Sequence, residues 1–312
     1  MSIAERGPAI VRVRHAASDL AASWVALRNW PTYWLQLRGR YPVDLRFQND
    51  FVLPHADRHE AETLVFLAAN GARFARTPER AGFVWGMDPD RRILTTPSGI
   101  RFHLESVEGG ILAETFLYDI HHAAGDLSGR LVVDAGANVG DTALYFAERG
   151  ADVLAYEPDP ENFRALEANL VLNPELAAHI TTFPIAIGED GEILFRAGQG
   201  GAGRPAAAGE DGIRVKSVSL ATLLGDRPRA HLLKSDCKGS EYDMVLQEAI
   251  ARFDHVALEY TSSSDPLRSG PWPLAEALRR HGFGAPRIFR QNPSGVSLAE
   301  HGVIESTFVG RP

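Results

Sequence analysis

From about residue 131 the chain alternates between short apolar runs and segments with helical spacing. Leu131-Val132-Val133-Asp134 is an unbroken apolar run ended by an acid, the pattern of a buried strand. Residues 142–149 read as a helix and 152–156 as a second strand. In 160–172, Phe163, Leu166 and Leu170 recur at helical spacing. Residues 180–187 read as a third strand and 231–234 as a fourth, followed by a helix over 240–252. A fifth strand is expected over 255–260 and a further helix over 274–281. Short strands alternating with helices predict βαβ units and a parallel sheet. The stretch 284–309 supplies two final strands, expected as an antiparallel pair at one edge.

The first third has a different texture. Residues 19–38 look helical but are broken by Pro31, and 43–53 look like a hairpin turning at Gln48-Asn49-Asp50. A helix over 58–70 is expected to stop at Gly71. Residues 93–104 alternate weakly, as in a second hairpin, and 111–121 read as a helix leading into the parallel sheet. The expected organisation is an N-terminal α+β extension or cap over 1–110 and a doubly wound α/β domain over 111–312. Residues 198–212, rich in Gly and Ala around Arg204-Pro205, form the candidate lid.

A length of 312 residues accommodates one large α/β domain plus a smaller region. A net charge of -8 lacks the basic footprint of a nucleic-acid binder, so no nucleic-acid partner is expected. Cys237 is the only cysteine, which rules out an intramolecular disulfide and fits a reducing compartment. The N-terminal residues contain no continuous apolar segment of the signal-peptide kind. No apolar run reaches about eighteen residues, so no integral membrane segment is expected and the location reads as cytoplasmic.

The chemistry concentrates at Val133-Asp134-Ala135-Gly136-Ala137-Asn138-Val139-Gly140-Asp141. An apolar strand ends in an acid, a glycine turn follows, and a helix opens. Gly136 allows close approach to the backbone, and Gly140 allows the new helix to pack on the strand. This predicts a nucleotide-type crevice at the carboxyl end of the first strand. A dinucleotide fingerprint reads G-x-G-x-x-G, with amides facing a pyrophosphate. Here the spacing is Gly136-x-x-x-Gly140, flanked by Asp134 and Asp141. Acids repel a pyrophosphate and suit a ligand carrying an ammonium and a sulfonium, as S-adenosylmethionine does. Glu157 ends the next strand, twenty-one positions after Gly136, where an acid can hydrogen-bond ribose hydroxyls.

These residues resemble the FkbM-type methyltransferases. The likeness rests on Val133 to Asp141, Tyr156-Glu157-Pro158-Asp159-Pro160-Glu161-Asn162, Asn169, Ala186-Ile187-Gly188, and the 218–223 segment Val-Ser-Leu-Ala-Thr-Leu. It continues in the 232–241 segment Leu-Leu-Lys-Ser-Asp-Cys-Lys-Gly-Ser-Glu and in Leu258-Glu259-Tyr260. It spans roughly 114–284. It implies a class I, Rossmann-like fold and dependence on S-adenosylmethionine. Asp134, Gly136, Asn138, Gly140 and Glu157 match cofactor positions, and Ala186 and Ile187 match the stretch near the adenine. The better-known relatives methylate hydroxyl oxygens of sugars or polyketides, which implies a small-molecule hydroxyl as acceptor. One departure stands out. The family pattern Asp-x-Glu-Gly-x-Glu reads Asp236-Cys237-Lys238-Gly239-Ser240-Glu241 here, with a lysine in place of an acid.

Methyl transfer to a hydroxyl needs alignment of acceptor, methyl and sulfur, and removal of a proton. Lys234 and Asp236 lie two apart on one strand face, either lowering the acceptor's pKa or pairing with each other. Glu259 is a candidate base or hydroxyl grip, or a cap for the following loop. Lys238, Glu241 and His121 are candidate substrate contacts: Lys238 for an acidic acceptor, His121 as a base beside His122. The single cysteine argues against a cysteine-bound zinc; no metal is expected, with magnesium between Asp236 and Glu259 as the alternative. The aromatic residues Trp24, Trp30, Tyr33 and Trp34 near Arg28, Arg38 and Arg40 read as packing, with lipid or hydrophobic-substrate contact as the alternative. The reading is a methyltransferase acting on a small-molecule hydroxyl. Its rivals are N-methylation, a non-catalytic cofactor-binding homologue, and an NAD-dependent oxidoreductase, the last lacking G-x-G-x-x-G.

Overall fold

A computed structural model describes residues 21–36, 41–48, 50–74, 85–121, 126–198, 203–206, 210–261, 265–289 and 301–310. The chain divides into two compact units, Met1–Leu117 and Tyr118–Pro312.

In the first unit, helix α1 spans Trp30–Gln36. Pro31 falls in its opening turn, where a missing N–H costs little, so the break expected at this proline is the start of a helix. Strands β1 (Val43–Arg46) and β2 (Val52–Ala56) form the expected antiparallel hairpin. Asn49 of its turn lies outside the described residues. Helix α2 (Arg58–Phe74) opens on a capping box: Asp57 accepts from the Glu60 amide and Glu60 accepts from the Asp57 amide, both at 2.9 Å. It runs through Gly71, where a stop was expected. Burial of Leu64, Leu67 and Ala68 outweighs the roughly 1 kcal/mol that a mid-helix glycine costs. Strands β4 (Ile93–Thr95) and β5 (Arg101–His103) form the expected second hairpin, and β3 (Gly86–Asp88) pairs with β4 to extend it into a three-stranded antiparallel meander. Helix α3 (Gly109–Phe116) ends well before His121. Of the aromatic cluster, Tyr33 is buried and the Trp34 indole donates to Ser23 Oγ at 2.6 Å, while Trp24 is exposed. Arg38 and Arg40 lie outside the described residues.

The second unit opens with β6 (Leu131–Ala135), α4 (Asp141–Glu148), β7 (Asp152–Tyr156), α5 (Pro160–Leu172), α6 (Pro174–Ala177) and β8 (Ile180–Phe183). Next come β9 (Ala186–Ile187), β10 (Gly191–Arg196), β11 (Arg204–Pro205), β12 (Ile213–Val218), α7 (Leu220–Leu224) and β13 (Ala230–Ser235). The chain continues with α8 (Glu241–Met244), β14 (Phe253–Thr261), α9 (Pro271–Arg280), β15 (Arg287–Phe289) and β16 (His301–Thr307). The central sheet has seven strands in the order β15-β16-β14-β13-β6-β7-β8. Pairings from β14 through β8 are parallel. Strand β16 is antiparallel to both β14 and β15 and lies between them, so the final pair is interleaved with the sheet edge. Strand order reverses between β6 and β13, which opens the ligand crevice of a doubly wound sheet at their carboxyl ends. The apolar residues Val133, Leu233, Val256 and Leu258 pack with Leu224, Tyr242, Ile250 and Leu274 to form the core.

Two expectations need correction. The third strand ends at Phe183, and Ala186–Ile187 belongs to a separate four-stranded sheet, β11-β10-β12-β9. That sheet buries little besides Ala186, Phe195 and Val215, so its strands carry only a faint apolar pattern. The helix expected over 240–252 is only Glu241–Met244, followed by a short 3₁₀ turn over Glu248–Arg252. Gln247 turns extended between them, and its side chain bridges the Leu220 amide and the Gly188 carbonyl, each at 2.8 Å. Among the described residues no helix is long and apolar enough to cross a membrane.

Candidate active site

The glycine turn is shaped by its neighbours. Gly136 has φ +78°, and a Cβ there would lie 2.3 Å from the Asp236 carbonyl oxygen. The backbone leaving β13 crosses directly over this glycine, with the Asp236 amide bound to Ala135 O at 3.0 Å. Gly140 (φ +88°) points its vacant Cβ position at Leu166 Cγ, 3.3 Å away. The close packing it allows is therefore against α5, where contact with the strand was expected. The turn's amides face inward. Gly136 and Ala137 donate to Tyr156 O at 2.9 and 3.0 Å, Gly140 to Ala137 O at 2.8 Å, and Asn138 to Glu157 Oε2 at 2.8 Å. A pyrophosphate needs such amides turned toward the ligand. This loop instead presents acids, which argues against a dinucleotide.

Asp134 is wholly buried. Thr142 Oγ1 donates to its Oδ2 at 2.6 Å. Lys234 Nζ lies 2.8 Å from Oδ1, a close ionic contact rather than an aligned hydrogen bond, and donates to Gly136 O at 2.8 Å. Lys234 stands directly opposite Asp134 in the β13–β6 register, so the pair joins the two strands at the switch point. Burial acts to lower the Lys234 pKa, but Asp134, then Asp236 and Asp141 hold it above the ordinary value. Lys234 is therefore paired with Asp134 rather than with Asp236. Asp141 is buried in the first turn of α4, where the helix dipole favours an anion.

Glu157 follows β7. Its carboxylate accepts from the Asn138 amide and, at 2.9 Å, from the Asp159 amide. Burial pushes its pKa up to about 7 against the opposing pull of those two amides. Asn138 adopts a left-handed backbone (φ +48°), and its buried Oδ1 has no hydrogen-bond partner among the described residues. An orphaned acceptor beside a buried carboxylate suits a ligand with hydroxyl or amine donors, and S-adenosylmethionine has both. Asn169, on the buried face of α5, donates to Val139 O at 2.9 Å and clamps the glycine turn. Asp159 caps α5 through the Glu161 and Asn162 amides. Ala186 and Ile187 are buried in β9, paired with Ser217 and Val218 of β12.

Beyond β13 a second acidic group gathers. Lys238 Nζ lies 2.6 Å from Asp236 Oδ1 and 3.5 Å from Glu259 Oε1. About 30% of the Asp236 and Lys238 side-chain surfaces remains open, whereas Glu259 is buried. Burial and then Glu259 push the Asp236 pKa up to about 6, opposed by Lys238. Lys238 is held above its ordinary value by Asp236 and Glu259 despite burial. Its backbone is left-handed (φ +50°), a conformation that costs an L-residue about 1–2 kcal/mol.

Glu241 faces inward. It accepts from the Cys237 amide, from the Gly239 amide at 2.7 Å and from Ser235 Oγ at 3.3 Å, closing the loop under Lys238. Burial raises its pKa to about 7. Arg268 fastens the same loop, reaching Gly239 O at 2.9 Å while paired to Asp243 at 2.6 Å.

His121 packs edge-on against Tyr145. It lines a recess of about 380 Å³ with His231, His255, Arg287 and Glu305. His255 precedes Glu259 by four residues on β14, about 13 Å at strand rise, so the recess lies toward the other ends of the strands. The structure thus brings Asp236, Lys238 and Glu259 together and leaves His121 apart from them. His122 and residues 199–202 and 207–209 of the 198–212 loop lie outside the described residues. Thr142 and Arg268 were not singled out from sequence, and Asn169 entered only through the family likeness, with no role given. Asn169 had a signal, a polar residue beside Leu166 and Leu170 on the apolar face of its helix.

The strand order, the switch-point crevice and the acids around a glycine turn define a class I S-adenosylmethionine-dependent methyltransferase. Residues 134–283 match the model of the methyltransferase FkbM domain. S-adenosylmethionine is the methyl donor of this family. No curated protein matches the sequence. Among solved structures, the chain is similar to magnesium protoporphyrin IX methyltransferase from Synechocystis PCC 6803 with bound SAM, at 14% identity and TM-score 0.41, over 66% of this chain and 83% of that one. It is also similar to precorrin-6y C5,15-methyltransferase from Geobacter metallireducens GS-15, at 14% identity and TM-score 0.37, over 65% and 89%. A third is ribosomal protein L11 methylase from Lactobacillus delbrueckii subsp. bulgaricus, at 18% identity and TM-score 0.35, over 63% and 77%.

Proposed function

We propose that this methyltransferase acts on a hydroxyl oxygen of a small molecule of sugar or polyketide type. The reading rests on one observation: a partly open Asp236 and a buried Glu259 meet at the Lys238 ammonium, with the Asp236 backbone lying over the Gly136 turn, whose Asn138 amide binds Glu157. When bound, S-adenosylmethionine supplies an electrophilic methyl group on a sulfonium. Glu157 and Asn138 hold the ribose hydroxyls, with Asp134, Gly136, Gly140 and Asp141 shaping the loop beneath. Asp236 takes the proton of the acceptor hydroxyl, and Glu259 shares it. A raised proton affinity fits that task, because a general base works best with a pKa near the working pH. Lys234 serves the chemistry indirectly, by fixing Asp134 and the Gly136 carbonyl.

The test is transfer of isotopically labelled methyl from S-adenosylmethionine to a panel of hydroxylated sugars and polyketides, each paired with its amino analogue. Labelled ether from the hydroxyl compounds supports the reading. Label found only in the amino analogues assigns N-methylation instead.

A further inference from the structure

The group formed by Asp236, Lys238 and Glu259 has a charge balance that its bare geometry does not explain. One ammonium lies 2.6 Å from the first of two carboxylates and 3.5 Å from the second. A cation bridging two acids is the arrangement in which a divalent metal is commonly held by carboxylates. Among the described residues, no three His, Cys, Asp or Glu side chains are placed to hold a metal ion. The position is instead filled from the chain itself. Lys238 reaches it from a left-handed backbone that L side chains avoid, beside Gly239 at φ +112°. Glu241 and Arg268 brace that turn through the Gly239 amide and carbonyl. The fold thus maintains an unfavourable conformation that keeps one ammonium between two acids.

Charge counting gives the consequence. With a divalent ion the two carboxylates would be neutralised. With one ammonium the group keeps a single negative charge, and that charge can accept one proton. We propose that Lys238 is a positioning residue, a tethered cation in the place a divalent metal would take between Asp236 and Glu259, and that with it in place this pair accepts the acceptor's proton without a metal ion. In that step the hydroxyl O–H bond breaks, the proton goes to the Asp236–Glu259 pair, and the oxygen lone pair forms the new bond to the methyl carbon. The carbon–sulfur bond breaks toward sulfur, leaving a neutral thioether. The deprotonation rests on the hydroxyl reading of the preceding section. The placement of the cation does not.

The experiment is Mn²⁺ titration of the full chain, followed by the paramagnetic resonance of free Mn²⁺. It compares wild type, Lys238→Glu, Lys238→Gln and Lys238→Arg with Lys216→Glu, an exposed site with the same charge change. Lys238→Glu is expected to bind Mn²⁺ at least tenfold more tightly than wild type, through Asp236, Glu259 and the new carboxylate. Lys238→Gln should fall between them. Lys238→Arg and Lys216→Glu should match wild type. The proposal is overturned if Lys238→Glu binds no better than Lys216→Glu, or if wild type binds as tightly as Lys238→Glu. If Lys238→Glu does not fold, Lys238→Gln against wild type decides in the same sense. Once an acceptor is found, wild-type transfer should continue in EDTA, and its abolition would also overturn the proposal. Transfer to amines alone would sink the hydroxyl reading and leave the Mn²⁺ result standing.

Discussion

The molecule carries two lysine–carboxylate groups within one crevice, and they differ in a way that separates structure from chemistry. Lys234 and Asp134 are buried, paired across adjacent strands and surrounded by fixed partners in Thr142 and the Gly136 carbonyl. Lys238 and Asp236 lie just beyond the end of β13, partly open, on a loop with a left-handed lysine and next to a second acid. The first group has every charge matched and little room to change. The second holds an excess acid at the crevice edge. Similar ion-pair chemistry therefore joins the sheet in one place and, on the function proposed above, handles a proton in the other.

Breaking the inner pair should have the largest effect on folding. Lys234→Met leaves Asp134 buried without its cation and is expected to destabilise the protein by about 3–5 kcal/mol in denaturant unfolding. Adding Asp134→Asn should recover much of that loss, since removing both charges avoids the unpaired one. The outer pair should respond in the opposite manner. Asp236→Asn is expected to lower methyl transfer by at least about 100-fold with S-adenosylhomocysteine affinity nearly unchanged, as read by labelled transfer and calorimetry side by side.

Both groups were visible in the sequence as residue types, but their partners were not. Lys234 and Asp236 stand two apart, which made them natural partners, yet register places Lys234 against Asp134, a hundred residues earlier. Strand neighbours are fixed by topology, and spacing along one strand does not reveal them. The parallel sheet was legible because β6, β7, β13 and β14 are buried on both faces and read as dense apolar runs. The β10–β12 sheet was not, since Glu192, Arg196, Arg214 and Lys216 dominate its strands. Glu241 looked like a substrate contact because charge alone does not tell which way a side chain turns. Its partners turn out to be amides of its own loop.

Glu157 sharpens the comparison through pH. Burial raises its pKa to about 7, so its ionised form is depleted as pH falls below that value. If ribose binding needs the ionised carboxylate, S-adenosylmethionine affinity should drop about tenfold from pH 8 to pH 6, and Glu157→Gln should flatten the profile. The same shift has a stability consequence of opposite sense. A carboxyl whose folded pKa is raised favours folding while protonated, so its contribution is present below the ordinary value near 4.5 and is lost as pH rises through about 7. Smallest of all, Asp159→Ala removes the cap of α5 and should cost about 1 kcal/mol, measured by thermal unfolding.

The most direct test of the cofactor site is calorimetric titration of S-adenosylhomocysteine into wild type and Glu157→Ala, each shown to be folded by circular dichroism. Micromolar binding to wild type, about -8 kcal/mol, weakened at least tenfold in Glu157→Ala, is the predicted result. Equal affinity in both proteins, or no binding to folded wild type, would contradict the site described at the ends of β6 and β7.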